Sequence, residues 1–187
     1  MSPHKTSADG NKSESQKSDD TLTFAIGDIH GRYQALKALV ENCKSYAGGR
    51  DMRFVFLGDY VDRGSETPAV LEFLIDFSQR MAGRIICLRG NHEACLLAAA
   101  MGDFKRVGFD ATMEDWLGAG GGGSATLISY GVDHASDVPI RHLEWLRSLP
   151  LTFQHSLRFF VHAGVNPSSP LTEQREQDLL SRALSFG

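Results

Sequence analysis

Three times, at nearly equal intervals, an apolar run in this chain closes on a glycine followed at once by a side chain able to bind a cation. "TFAIGD" ends on Asp28, "FVFLGD" on Asp59 and "ICLRGN" on Asn91. The steps between these residues are 31 and 32 positions, about the length of one strand–helix–strand unit. After the first run, "RYQALKALVENCKSY" carries Tyr33, Leu36, Val40 and Cys43 at helical spacing. After the second, Thr67 and Pro68 read as the cap and first turn of a helix with Val70, Leu74, Phe77 and Met81 on one face. "HEACLLAAAM" supplies a third helix. Strands alternating with helices predict an α/β fold with parallel pairing, and their near-continuous apolar character predicts a sheet covered on both faces. Right-handed crossovers return the chain to one sheet edge, so the three loops gather at the carboxyl ends of the strands, where open α/β sheets place their sites.

The rest of the chain fits around this unit. Residues 1–20 hold only Met1 and Ala8 as apolar side chains and read as a disordered tail, with His4 solvated in it. Residues 21–187 form one domain, because 187 residues with 42% hydrophobic composition suffice for a single core. The middle, 102–137, is less regular, and "GAGGGGS" at 118–124 reads as a flexible surface loop, since it lacks the lysine and spacing of a phosphate cradle. "PIRHLEWLRSL" predicts a helix, "LRFFVHAG" a further strand ending in His162, and "EQREQDLLSRAL" a polar helix. His134, His142 and His155 have no motif context and are read as structural, and Trp116 and Trp145 as packing residues.

A net charge of −4 gives no footprint for nucleic acid or an anionic membrane. The three cysteines, Cys43, Cys87 and Cys95, lie in apolar surroundings without paired spacing and read as reduced core thiols. Without a membrane-length apolar run or an apolar leader core, a cytoplasmic location is expected.

The chemistry lies in the converging loops. Asp28, His30, Asp59, Asn91, His92 and His162 would bring carboxylates, imidazoles and an amide oxygen into one pocket, where burial without a cation costs several kcal/mol. A divalent metal resolves the conflict, and a set of Asp, His and Asn ligands without thiolate suits Mn²⁺, Fe or Zn²⁺. Asp59, from the middle strand, is placed to bridge two ions about 3.5–4 Å apart, the separation used for displacement at phosphorus.

The stretches "GDIHG" (27–31), "GDYVDRG" (58–64), "LRGNHE" (88–93) and "VHAG" (161–164) resemble, in their order, the calcineurin-like metallophosphoesterases, specifically the bacterial type of the protein serine/threonine phosphatase branch. The resemblance implies a sandwich of two mixed β-sheets flanked by helices. It implies that Asp28, His30 and Asp59 hold a first metal and Asp59, Asn91 and His162 a second, Mn²⁺ being the expected ion. On that basis His92 is the general acid and Asp62 the partner that keeps its imidazole protonated and oriented. Arg63 is the phosphate holder, assisted by Arg89. The expected reaction is dephosphorylation of phosphoserine or phosphothreonine in a protein, by direct attack of a metal-bridging hydroxide. Two alternatives stand beside it: hydrolysis of diadenosine tetraphosphate, which shares the "HAG" type of motif, and a non-catalytic module that binds phosphorylated partners. No histidine follows His162, the family's later phosphate-binding arginine has only Arg182 as a counterpart, and a strand expected near that end is missing. The reading is therefore of a domain shortened at its C-terminus, with an open second metal site.

Overall fold

A computed structural model describes residues 21–107 and 109–181; residues 1–20, read as a tail, and Arg182 lie outside them. Three parallel strands, β1 (Leu22–Ile26), β2 (Met52–Phe56) and β3 (Ile85–Cys87), form one sheet in the order β1-β2-β3. Helices α1 (Tyr33–Ala47) and α2 (Thr67–Arg80) make the two crossovers, and α3 (Asn91–Met101) leaves the end of β3. The register pairs Ile26 with Phe56 and Phe56 with Cys87. All three strands thus end on one level, and the loops carrying Asp28, Asp59 and Asn91 start side by side.

The central strand is where the sheet is covered. Phe54, Val55 and Phe56 are fully buried, with Phe54 stacked between Phe24 and Phe56 and tilted against Phe77 of α2. Burying side chains of this size contributes about 1.5–3 kcal/mol each. The expectation of a sheet covered on both faces holds for β2 and not for β1: among the described residues β1 is an edge strand, and its Ala25 is exposed. Helix α2 starts at Thr67 with Glu66 as the preceding cap residue. The cap therefore lies one residue earlier than the sequence reading placed it, and Thr67 is buried in the first turn.

The middle of the chain is more ordered than its composition suggested. It forms α4 (Met113–Leu117) and α5 (Gly123–Tyr130), so the glycine stretch at 118–124 is a tight connection that runs into a helix. Helix α6 (Ile140–Ser148) follows and packs on α2 and α3. Strands β4 (Thr152–His155) and β5 (Arg158–Val161) then pair antiparallel around a two-residue turn, Ser156–Leu157. Among the described residues the second layer is this hairpin alone; the two sheets of the sandwich are one parallel and one antiparallel, neither of them mixed. The hairpin is tied to the first sheet at its functional end, where His162, directly after β5, donates from Nδ1 to the carbonyl of Leu57 at 2.9 Å. A last short helix, α7 (Glu176–Ser181), buries Leu179 and Leu180. No helix among the described residues is long and apolar enough to cross a membrane.

Candidate metal centre

Asp59 stands at the middle of the converging loops. Its Oδ2 lies 3.7 Å from Nε2 of His30 and 3.9 Å from Nε2 of His92, and its Oδ1 lies 3.4 Å from Nε2 of His162. Asp28 approaches from the mouth of the site, 57% exposed, with Oδ2 3.6 Å from Nε2 of His30. Asn91 sets its Oδ1 2.8 Å from Nε2 of His162. Two overlapping groups, His30–Asp59–His92 and Asp28–Asp59–His162, each hold their ligand atoms within 4.8 Å of one another. All five residues expected to hold metal are therefore brought together around one carboxylate.

The orientation of the rings fits a cation. His30 and His162 each donate Nδ1–H to a backbone carbonyl, of Val61 at 2.8 Å and of Leu57 at 2.9 Å. On both rings Nε2 is then the nitrogen that faces the carboxylates. On the His162 side an imidazole nitrogen, an amide oxygen and a carboxylate oxygen converge, atoms of the kind that bind a divalent ion.

A buried glutamate fixes the loops. Glu93, with no exposed surface, accepts from the backbone N–H groups of Asp59 and Gly90 on Oε2, both at 2.8 Å, and of Tyr60 and Val61 on Oε1, at 2.7 and 3.3 Å. One carboxylate thus joins the loop after β2 to the start of α3. Burial, with the Asp59 charge beside it, raises the Glu93 carboxyl above the ordinary carboxylate range against these four donors. The two loops meet so closely that a Cβ on Gly90 would lie 2.3 Å from Oδ1 of Asp59. Local backbone serves the same end: His30, Asp59, Asp62 and Arg63 all have positive φ, between 46° and 70°.

The proposed acid and its partner are in contact. His92 Nδ1 donates to Oδ2 of Asp62 at 2.8 Å, and Asp62 is fully buried. Burial opposes charge on the imidazole, but the Asp62 hydrogen bond and the charges of Asp59 and Asp62 outweigh it and hold His92 above its ordinary value. Arg63 reaches the same space, with Nη1 2.7 Å from Nε2 of His30 and Nη2 3.1 Å from Nε2 of His92. Arg89 faces elsewhere: Nη2 donates to Glu176 of α7 at 2.8 Å.

Several residues here escaped the sequence reading. Glu93 had a findable signal, since a glutamate three positions after Gly90 at a helix start is a capping pattern. Trp116 and Thr126 had none. They reach Asp62 from 54 and 64 residues away, with Trp116 Nε1 donating to Oδ2 at 2.9 Å and Thr126 Oγ1 to Oδ1 at 2.7 Å. Trp116 is buried, as a packing residue should be, yet its polar edge is also used.

Parallel strands ending in Asp, Asn and His loops around one shared carboxylate form a candidate centre for divalent metal. The chain belongs to the calcineurin-like phosphoesterase family, whose profile matches residues 22–182, and such enzymes use divalent metals. Among its relatives is a symmetrical bis(5'-nucleosyl)-tetraphosphatase of Dechloromonas aromatica, 30% identical over 156 residues that cover 82% of this chain and 48% of that protein. Another is the serine/threonine-protein phosphatase 4 catalytic subunit of Eremothecium gossypii, 36% identical over 88 residues, 47% of this chain and 27% of that one. The cold-active protein-tyrosine phosphatase of a Shewanella species superposes with a TM-score of 0.54 at 25% identity, over 80% of this chain and 45% of its own. The chain thus spans about half the length, or less, of the relatives it matches.

Proposed function

We propose that this chain is the metal-binding part of a phosphoesterase that splits bis(5'-nucleosyl) tetraphosphates symmetrically. The observation that carries the chemistry is the position of Asp59 between two imidazoles on one side and His162 with Asn91 on the other. What supports the substrate class is the reach of the similarity: tetraphosphatase relatives align over 156 and 145 residues, against 88 for the protein phosphatase 4 subunit.

Asp28, His30, Asp59, Asn91 and His162 would hold the metal. Divalent ions bound there supply the charge that lowers the pKa of water and polarises the phosphoryl group. Arg63 binds phosphoryl oxygens through its planar fork, a match for the polyphosphate chain. His92 carries a proton at Nε2 to the oxygen that leaves phosphorus, and Asp62 holds the ring by Nδ1. In symmetrical cleavage one P–O bond of the central P–O–P bridge breaks, and the OH of water goes to one phosphorus. The bridging oxygen leaves on the other with the proton from His92, the second proton of water restores His92, and two nucleoside diphosphates result.

Turnover of diadenosine tetraphosphate with Mn²⁺, followed by product chromatography, tests the reading. Two equivalents of ADP per substrate are expected; AMP with ATP would overturn it. A second reading, dephosphorylation of phosphoserine or phosphothreonine in proteins, is favoured by "GDYVDRG" and by the protein phosphatase relatives. Faster turnover of a phosphopeptide than of the dinucleotide would select it.

A further inference from the structure

Asp62 has no exposed surface, so its carboxylate depends wholly on protein donors. Besides His92 it accepts from Trp116 Nε1 on Oδ2 and from Thr126 Oγ1 on Oδ1, at 2.9 and 2.7 Å. The same threonine oxygen accepts from the Asp62 backbone N–H at 2.8 Å. The hydroxyl is therefore fixed in both roles, and the aspartate is held at its main chain and its side chain by one residue. Both donors come from the α4–α5 segment, within the stretch 102–137 that the sequence presents as less regular.

The glycines between them explain how the segment comes so close. The Gly122 carbonyl accepts from Arg63 N–H at 3.0 Å, and a Cβ on Gly122, where φ is 80°, would lie 2.6 Å from Arg63 Cγ. A Cβ on Gly123 would lie 2.2 Å from the indole ring of Trp116. No side chain fits at Gly122 or Gly123 without displacing Arg63 or Trp116. Helix α5 is anchored behind it, where Tyr130 Oη and the Nδ1 of His142 lie 2.6 Å apart and the Nε2 of His142 lies 2.8 Å from Oε1 of Glu72 in α2.

We propose that Trp116 and Thr126 are positioning residues, and that the α4–α5 segment is a clamp that aims His92 through Asp62 while seating Arg63. The proposal rests on the assignment of His92 as proton donor in the preceding section. Without either donor the Asp62 carboxylate gains rotational freedom, and the His92 ring loses a single orientation.

The test uses three variants of the whole chain. Trp116→Phe keeps the ring against Gly123 and removes the donor, Thr126→Val keeps the shape and removes the hydroxyl, and Thr126→Ser restores the hydroxyl. The first readout is the downfield imidazole N–H proton resonance of His92, assigned by its loss in His92→Asn. It is expected to be sharp in the unaltered protein and in Thr126→Ser, and shifted or broadened in the other two, with unchanged circular dichroism. The second readout compares phenyl phosphate, whose leaving group needs a proton, with p-nitrophenyl phosphate, whose leaving group departs as an anion. Trp116→Phe and Thr126→Val should lose on the order of tenfold in kcat on phenyl phosphate, part of the 10²–10⁴ that a general acid contributes, with KM within about twofold and little loss on the nitrophenyl ester. An unchanged resonance in both variants overturns the clamp, whatever the activity. Equal losses on the two esters also overturn it. If the unaltered protein hydrolyses neither ester nor diadenosine tetraphosphate while the resonance still moves, the clamp is supported and the reading of the chain as a phosphoesterase is what fails.

Discussion

Arg63 sets Nη2 3.1 Å from Nε2 of His92, the nitrogen assigned to carry a proton to the leaving oxygen. The same guanidinium reaches Nε2 of His30 from Nη1. The fork therefore spans the space between a ligand-type histidine and the acid, where a phosphoryl group would meet both. Arg63→Ala should lower kcat/KM by about 10²–10³, the cost of removing one donor from a developing oxyanion. Arg63→Lys should recover only part of it, because a point charge cannot make the paired contact. Steady-state kinetics on the preferred phosphate ester decide; full recovery by lysine would refute a bidentate role.

Asp59→Asn should strip the centre. The amide keeps one acceptor oxygen but removes the charge that faces three imidazoles. Metal content after dialysis, measured by atomic emission, is expected to fall for every ion the unaltered protein retains. His92→Asn should leave that content unchanged while kcat drops by about 10²–10⁴. Coordinated loss of metal in His92→Asn would make it a ligand instead.

Glu93→Gln tests the joint between the two loops. The glutamine amide would point a donor at backbone N–H groups that now share two carboxylate oxygens. Unsatisfied buried donors cost about 1–3 kcal/mol. For a domain of this size that lowers Tm by roughly 2–4 °C per kcal/mol. Calorimetry showing no change would mean the loops are held by other contacts.

Thiol reactivity provides a pH prediction. Burial pushes the Cys87 and Cys95 thiols up to about 12, and raises Cys43 less. The two buried thiols therefore stay neutral at pH 8, with thiolate fractions of about 10⁻⁴. Iodoacetamide at that pH should label Cys43 in the native protein and reach the others only on unfolding, as read by mass spectrometry.

Much of this was legible in the chain. The recurring strand–Gly–ligand pattern predicted the parallel unit and the meeting of Asp28, Asp59 and Asn91, because strand register and crossover length are local properties written in periodicity. His162 was expected in the same pocket from its motif, but the route was not: it arrives by way of a separate antiparallel hairpin and is tied to the first sheet by its contact with the Leu57 carbonyl. The glycine stretch was misread for a physical reason: composition shows freedom of the unpacked chain, whereas Gly122 and Gly123 are needed because Arg63 and Trp116 pack against them. Arg89 shows the converse, for its motif position suggested a ligand contact and its side chain pairs with Glu176.

Because His30, Asp59, Asp62 and Arg63 have backbone conformations that side-chain-bearing residues avoid, the surrounding fold must hold each against a penalty on the order of 1 kcal/mol. Evolution under heat alone would favour glycine at Arg63 and relieve it. Durability and turnover therefore pull in opposite directions within these few positions, and selection for survival without selection for activity would erode the reactive loops before it touched the sheet beneath them.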